Sequence, residues 1–158
     1  MIFAGILDCS PKVSESEHHR CLVRALGSDI ASDSRWSHPP VVFFDLQDLG
    51  SSKPPPCIGT NRPDVFARDI STGRTLIGEA KTTDDIDNQH TTDQLTSYFD
   101  YLRTQSEGEL WIGVPWLSAG TVIRVCKFIR KRTNSENIPI CVIAYMLGPL
   151  SVRRVWRE

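Results

Sequence analysis

Leu110-Trp111-Ile112-Gly113-Val114, closed by Pro115, is an unbroken apolar stretch of strand length. A strand without alternation is buried on both faces, so it sits within a sheet that has cover above and below. Helical patterns elsewhere supply that cover. Leu22, Ala25, Leu26 and Ile30 recur at helical spacing in a segment running from Ser10-Pro11 to Ile30. Leu95, Tyr98, Phe99 and Leu102 do the same between Asp87 and about Gln105, and Val122, Val125, Cys126 and Ile129 between Ala119 and Arg132.

The remaining strands come from β-branched and aromatic runs bounded by turn formers. Val41 to Leu46 is the first, and Pro54-Pro55-Pro56, unable to donate to a ladder, places a loop after it. Asp64 to Arg68 and Thr75 to Lys81 read as an antiparallel hairpin across a turn containing Gly73. Ile138 to Met146 is a further buried strand, and Ser151 to Trp156 a short last one. The expected fold is one α/β domain over residues 1–158: a mixed central β-sheet flanked by helices, with an αβββαβ core followed by an additional helix and strand.

Composition narrows the function classes. The 158 residues are 40% hydrophobic and 23% charged, which disfavours disorder, and no run reaches the twenty or so apolar residues of a membrane helix. Met1 to Leu7 is apolar without a basic leader and reads as a buried segment, giving an expected cytoplasmic location. Five cysteines without a C-x-x-C pair read as reduced, mostly buried thiols. Charge is uneven: residues 1–102 hold 9 basic and 15 acidic groups, a net of -6, and residues 103–158 hold 9 and 4, a net of +5. Arg124, Lys127, Arg130, Lys131 and Arg132 crowd one helix, either as a solvated face or as a track for phosphates.

The chemistry-bearing stretch is Arg62-Pro63-Asp64-Val65-Phe66 followed by Glu79-Ala80-Lys81. Strand side chains alternate, so Glu79 and Lys81 share one face and Ala80 takes the other. If the hairpin pairs, Asp64 lies at the sheet's end near both. Two carboxylates with the Ala80 carbonyl form a partial shell of hard oxygen donors suited to Mg²⁺, with Mn²⁺ as its substitute. Lys81 beside such an ion can stabilise charge growing on a phosphate. Asp84, Asp85 and Asp87 read as helix capping, and His18, His19 and His90 as structural, with His18 on the core stripe.

Pro63-Asp64, Glu79, one intervening residue and Lys81 resemble the defining motif of the PD-(D/E)xK nuclease superfamily, and the element order of residues 10–115 matches its restriction-endonuclease-like core. Gln94-Leu95-Thr96-Ser97-Tyr98 resembles the helix motif of the RecB-like branch. The resemblance implies Asp64 and Glu79 as metal ligands and Lys81 as the catalytic lysine. It implies Gln94 as a residue orienting lysine or substrate, Tyr98 as a more peripheral contact to nucleic acid, and a first-helix glutamate near the metal. Glu15 fits that last role better than Glu17, because it shares the stripe of Leu22 and Leu26. The implied activity is Mg²⁺-dependent hydrolysis of DNA phosphodiesters, with Arg124, Lys127 and Lys131 as further candidates for DNA contact. The implied partner is DNA, within a homodimer or a larger repair or defence complex, and no membrane. The alternative is a nucleic-acid-binding or assembly subunit that keeps the fold without turnover.

Overall fold

The computed structural model describes residues 16–46, 53–146 and 152–158. Its order is α1 (Glu17–Ala31), β1 (Val41–Phe44), β2 (Val65–Arg68), β3 (Arg74–Ala80), α2 (Gln89–Leu102), β4 (Glu107–Pro115), α3 (Ala119–Arg132), β5 (Ile140–Met146) and β6 (Val152–Arg157). The strands lie in sequence order across one six-stranded sheet. β1–β2, β2–β3 and β5–β6 pair antiparallel, whereas β3–β4 and β4–β5 are parallel. The fold is therefore α/β with a mixed sheet and three flanking helices.

The layering follows from the parallel pairs. Parallel neighbours need crossover helices, and two successive right-handed crossovers advancing in one direction put both helices on one face. Accordingly α2 and α3 cover one face, where Tyr98, Phe99, Leu102, Val122, Cys126 and Ile129 pack with Ile77, Leu110 and Ile112. The opposite face packs Leu22, Val23, Leu26 and Ile30 of α1 on Val65, Ala67, Leu76 and Trp111. Gly78 is needed there, since a Cβ on it would stand 2.7 Å from Ile30 Cδ1 and 3.0 Å from Val65 Cβ. β4 is buried from Gly108 to Val114, as its lack of alternation requires.

Local signals set the boundaries. Ser16 caps α1 by accepting from the His19 amide, so the helix begins at Glu17 and not at Ser10. Asn88 caps α2 through the Thr91 amide, which trims the expected Asp87–Gln105 helix to Gln89–Leu102. The β2–β3 turn is built on the Asp69 carboxylate, which accepts from the Ser71 and Thr72 amides, with Gly73 at φ +77°.

At the end of the sheet where β3 and β4 begin, four charges lock the segment after α1 to the strands. Arg74 Nη2 lies 3.0 Å from Asp33 Oδ2 and 3.0 Å from Glu109 Oε2, and Arg35 reaches both acids at 2.8 and 3.0 Å. Arg74 also stacks over Trp36 at 4.3 Å. Among the described residues no helix is long and apolar enough to cross a membrane. Cys21, Cys126 and Cys141 are free, and burial raises the Cys126 and Cys141 thiols to about 12. Cys57 is disulfide-bonded, which corrects the expectation that every thiol is reduced.

Candidate functional site

The hairpin brings the two acids together in the way its alternation requires. Gly78 pairs with Val65, which sets Asp64 just outside β2 and opposite the end of β3. The Asp64 Oδ2 atom accepts from the Ala80 amide at 2.8 Å, and the Asp64 amide donates to Glu79 Oε2 at 3.3 Å. Glu79 and Lys81 point into the α2 layer, whereas Ala80 packs in the α1 layer. Asp64, Glu79 and Lys81 are all buried.

Gln94 and Tyr98, four residues apart on α2, face this pair. Lys81 Nζ lies 3.2 Å from Glu79 Oε1 and donates to Gln94 Oε1 at 2.5 Å. Lys81 offers only donors, so the Gln94 oxygen must face it and the Gln94 Nε2 must face the carboxylate. That nitrogen reaches Glu79 Oε1 at 2.7 Å and the Tyr98 hydroxyl at 3.0 Å. Tyr98 in turn donates to Glu79 Oε2 at 3.2 Å. Burial, and then the Glu79 and Asp64 charges, push the Tyr98 phenol well above 10, which keeps it a donor. The four acceptor positions of Glu79 are thus filled by Gln94, Lys81, Tyr98 and the Asp64 amide.

One residue that sequence reasoning set aside joins the cluster. His19 Nε2 lies 3.3 Å from Asp64 Oδ2 and 3.2 Å from the Ala80 carbonyl oxygen. Both neighbours are acceptors, so this nitrogen carries the proton. A carboxylate oxygen and a main-chain carbonyl oxygen therefore converge on a single point. The signal was present in the sequence: His19 lies seven residues before Leu26 and eleven before Ile30, a polar residue on the buried stripe of α1.

The other expected residues separate. Tyr98 is not peripheral, since it is fully buried and bonded to Glu79, which removes it as a nucleic-acid contact. His18 is exposed and not on the core stripe, and His90 is exposed. Glu17 faces solvent beside Arg20 and Arg24, while Glu15 lies outside the described residues. Asp84, Asp85 and Asp87 are exposed in the turn that leads into α2. On α3, Lys127 is engaged by Glu158 at 2.6 Å and Arg130 is buried against the same carboxylate at 2.7 Å. Arg124 and Lys131 are exposed, Arg124 standing 3.9 Å from Asp87.

The donor set suits a hard cation. Asp64, Glu79 and the Ala80 carbonyl are oxygen donors of the type Mg²⁺ and Mn²⁺ take. The oxygens of Asp64 and Ala80 already face one shared position. Among the described residues no three His, Cys, Asp or Glu side chains are arranged as a complete metal-binding group. Compared with family models, curated proteins and solved structures, the chain matches none.

Proposed function

We propose that the chain is a divalent-cation-dependent deoxyribonuclease of the PD-(D/E)xK type. One observation carries the reading: the Asp64 carboxylate and the Ala80 carbonyl converge on one position beside the buried Glu79–Lys81 pair. Asp64, Glu79 and the Ala80 carbonyl would hold the cation, with the His19 imidazole N–H giving way to it. When bound, the cation supplies Lewis acidity, acidifying water and offsetting phosphate charge.

The chain's own groups do the rest. Lys81 sets an ammonium beside the phosphate and offsets the negative charge that grows as water adds to phosphorus and the opposite P–O bond breaks. Gln94 fixes the Lys81 ammonium and one Glu79 oxygen at once, and Tyr98 holds the other oxygen, so the charges need little rearrangement when substrate arrives.

The test is cleavage of plasmid and labelled oligonucleotides with Mg²⁺ or Mn²⁺. Glu79→Ala and Lys81→Ala are expected to lower the rate by at least about 10²-fold, the effect of removing a preorganised charge-stabilising group. Equal rates in wild type and both variants reject the site. A second reading draws on the filled acceptor positions of Glu79: a binding module whose polar cluster fixes the fold without turnover. Metal-independent DNA binding with no cleavage at any metal concentration selects it.

A further inference from the structure

On the α2–α3 face, a groove of about 280 Å³ runs between the start of α3 and strands β5 and β6. Trp116, Gly120, Ile123, Ala144, Arg154 and Trp156 line it. The sheet register ties it to the candidate site. Ala80 pairs with Gly113, Val114 with Ala144, and Ala144 with Arg154, so Lys81, Val114, Ala144 and Arg154 form one row across four strands. Three strand spacings put Arg154 about 14 Å from Lys81 at the backbone. The connection also closes through side chains, since Thr83 Oγ1, two residues after Lys81, lies 3.2 Å from Ser118 Oγ. Leu117, next to Trp116 in the chain, is 94% exposed.

From this arrangement we infer that the groove receives an unstacked nucleobase of a single DNA strand whose backbone crosses from the groove to Lys81. The inference rests on the nuclease reading and gives its substrate a class, DNA that is single-stranded at least locally. Two indoles and an arginine line one groove, and these are residue types on which bases stack. The charge is complementary as well: Arg154 is the charged residue that lines the groove, and the Lys127 ammonium lies 5.2 Å from the Trp156 ring. A duplex end with both strands stacked offers no free base for so narrow a cleft. The groove is at the small end of ligand sites, suited to a ring rather than to a folded partner. A Cβ on Gly120 meets nothing within 4 Å, so a larger side chain at this lining position finds open space.

The probe is an octamer of deoxythymidylate, with a blunt duplex of equal length as comparison. Binding is read by fluorescence anisotropy and by quenching of tryptophan emission in EDTA, so that cleavage plays no part. Gly120→Phe fills the groove and is expected to weaken octamer binding about tenfold, the scale of one stacked base, with unchanged thermal midpoint and unchanged duplex binding. Arg154→Ala, at an exposed position, serves as a second variant and is expected to weaken the octamer in the same direction. Octamer affinity unaltered in both variants overturns the groove whether or not the protein cleaves DNA, and so does tighter binding of the duplex. Intact octamer binding lost in Gly120→Phe, with no metal-dependent cleavage in wild type, sustains the groove and strikes the nuclease reading alone.

Discussion

Replacing Lys81 with Met tests the charge balance of the site apart from its activity. Met keeps most of the side chain's volume and removes the ammonium that lies 3.2 Å from Glu79 Oε1 in a position only 7% exposed. Breaking one partner of a buried ion pair costs about 3–5 kcal/mol. Glu79 retains its bonds from Gln94, Tyr98 and the Asp64 amide, which places the loss at the lower end, about 3 kcal/mol. For a chain of this length each kcal/mol moves the thermal midpoint by about 2–4 °C, so in EDTA the variant should melt about 6–12 °C below wild type. Divalent cation should then act in the opposite sense. With a like charge removed at an effective dielectric near 20, the two carboxylates should bind a cation at least about tenfold more tightly, a gain of about 1.4 kcal/mol or more. At equal saturating Mg²⁺ or Mn²⁺ the midpoint of Lys81→Met should therefore rise about 3–6 °C further than that of wild type. Calorimetry across a metal series, with Asp64→Ala as the control that shows no metal-dependent rise, measures each quantity. A Lys81→Met protein that gains no more from metal than wild type, or an Asp64→Ala protein that gains as much, would refute the assignment of these oxygens to a cation.

Three further outcomes follow from other parts of the structure. Tyr98→Phe removes one donor to Glu79 and one acceptor for Gln94, and should cost about 1–3 kcal/mol in chemical denaturation while cleavage falls less than in Lys81→Ala. Arg74→Ala removes one of the two guanidinium partners of Asp33 and Glu109, Arg35 keeping its bonds to both, and should cost about 1–3 kcal/mol near neutrality. Its pH dependence has a fixed sign. Burial alone raises the Asp33 carboxyl, but bonds from Arg35 and then Arg74 outweigh it and hold it below 3.8. The native advantage is thus full above about 3.8 and is lost as pH falls through the lower folded value, so melts from pH 5 to pH 2 should show the gap between wild type and Arg74→Ala closing. For DNA binding, Arg124→Ala with Lys131→Ala should flatten the plot of log affinity against log salt by about 2 if both meet phosphates, whereas Lys127→Ala should change it less because Glu158 already engages that ammonium.

How far the sequence could be read depended on whether a signal was local. The β2–β3 hairpin, the buried β4 and the bounds of α3 each have local causes: turn residues at 69–73, an apolar run without alternation, and a helical period flanked by Pro115 and Asn134. The pairing of Glu79 with Lys81 on one face, and of Gln94 with Tyr98 on another, also follows from periods of two and of 3.6 residues. The start of α1 differs from the expected one because Ser10 and Ser16 carry the same capping chemistry, and it is Ser16 that accepts from the His19 amide. The helical stripe chose Glu15 over Glu17 as the glutamate that the resemblance implied, and Glu15 lies outside the described residues; the α1 residue seen at the site is His19, next to the histidine assigned to the core. Tyr98 was misplaced for a different reason. Spacing gives its helix face but not the depth of the cluster it enters, and that depth depends on the crossover that lays α2 over β3.

The end of β3 is where residues from both layers can reach one point. Side chains of Glu79 and Lys81 enter the α2 layer and that of Ala80 the α1 layer, so neither face alone gathers the whole set. At the strand's end, however, the Ala80 carbonyl is free of the ladder's next rung, and His19 approaches it from α1 while Gln94 holds Glu79 and Lys81 from α2. A cation entering between Asp64 and Ala80 would have to displace the His19 N–H from those oxygens and draw Glu79 away from Lys81 and Gln94, and each displaced donor costs free energy unless it finds a new partner. Lys81 has such an outlet in a bound phosphate, and Gln94 keeps its bond to Tyr98. The arrangement therefore favours cation and phosphate arriving together over cation alone, because the phosphate gives Lys81 its replacement partner as Glu79 turns to the metal.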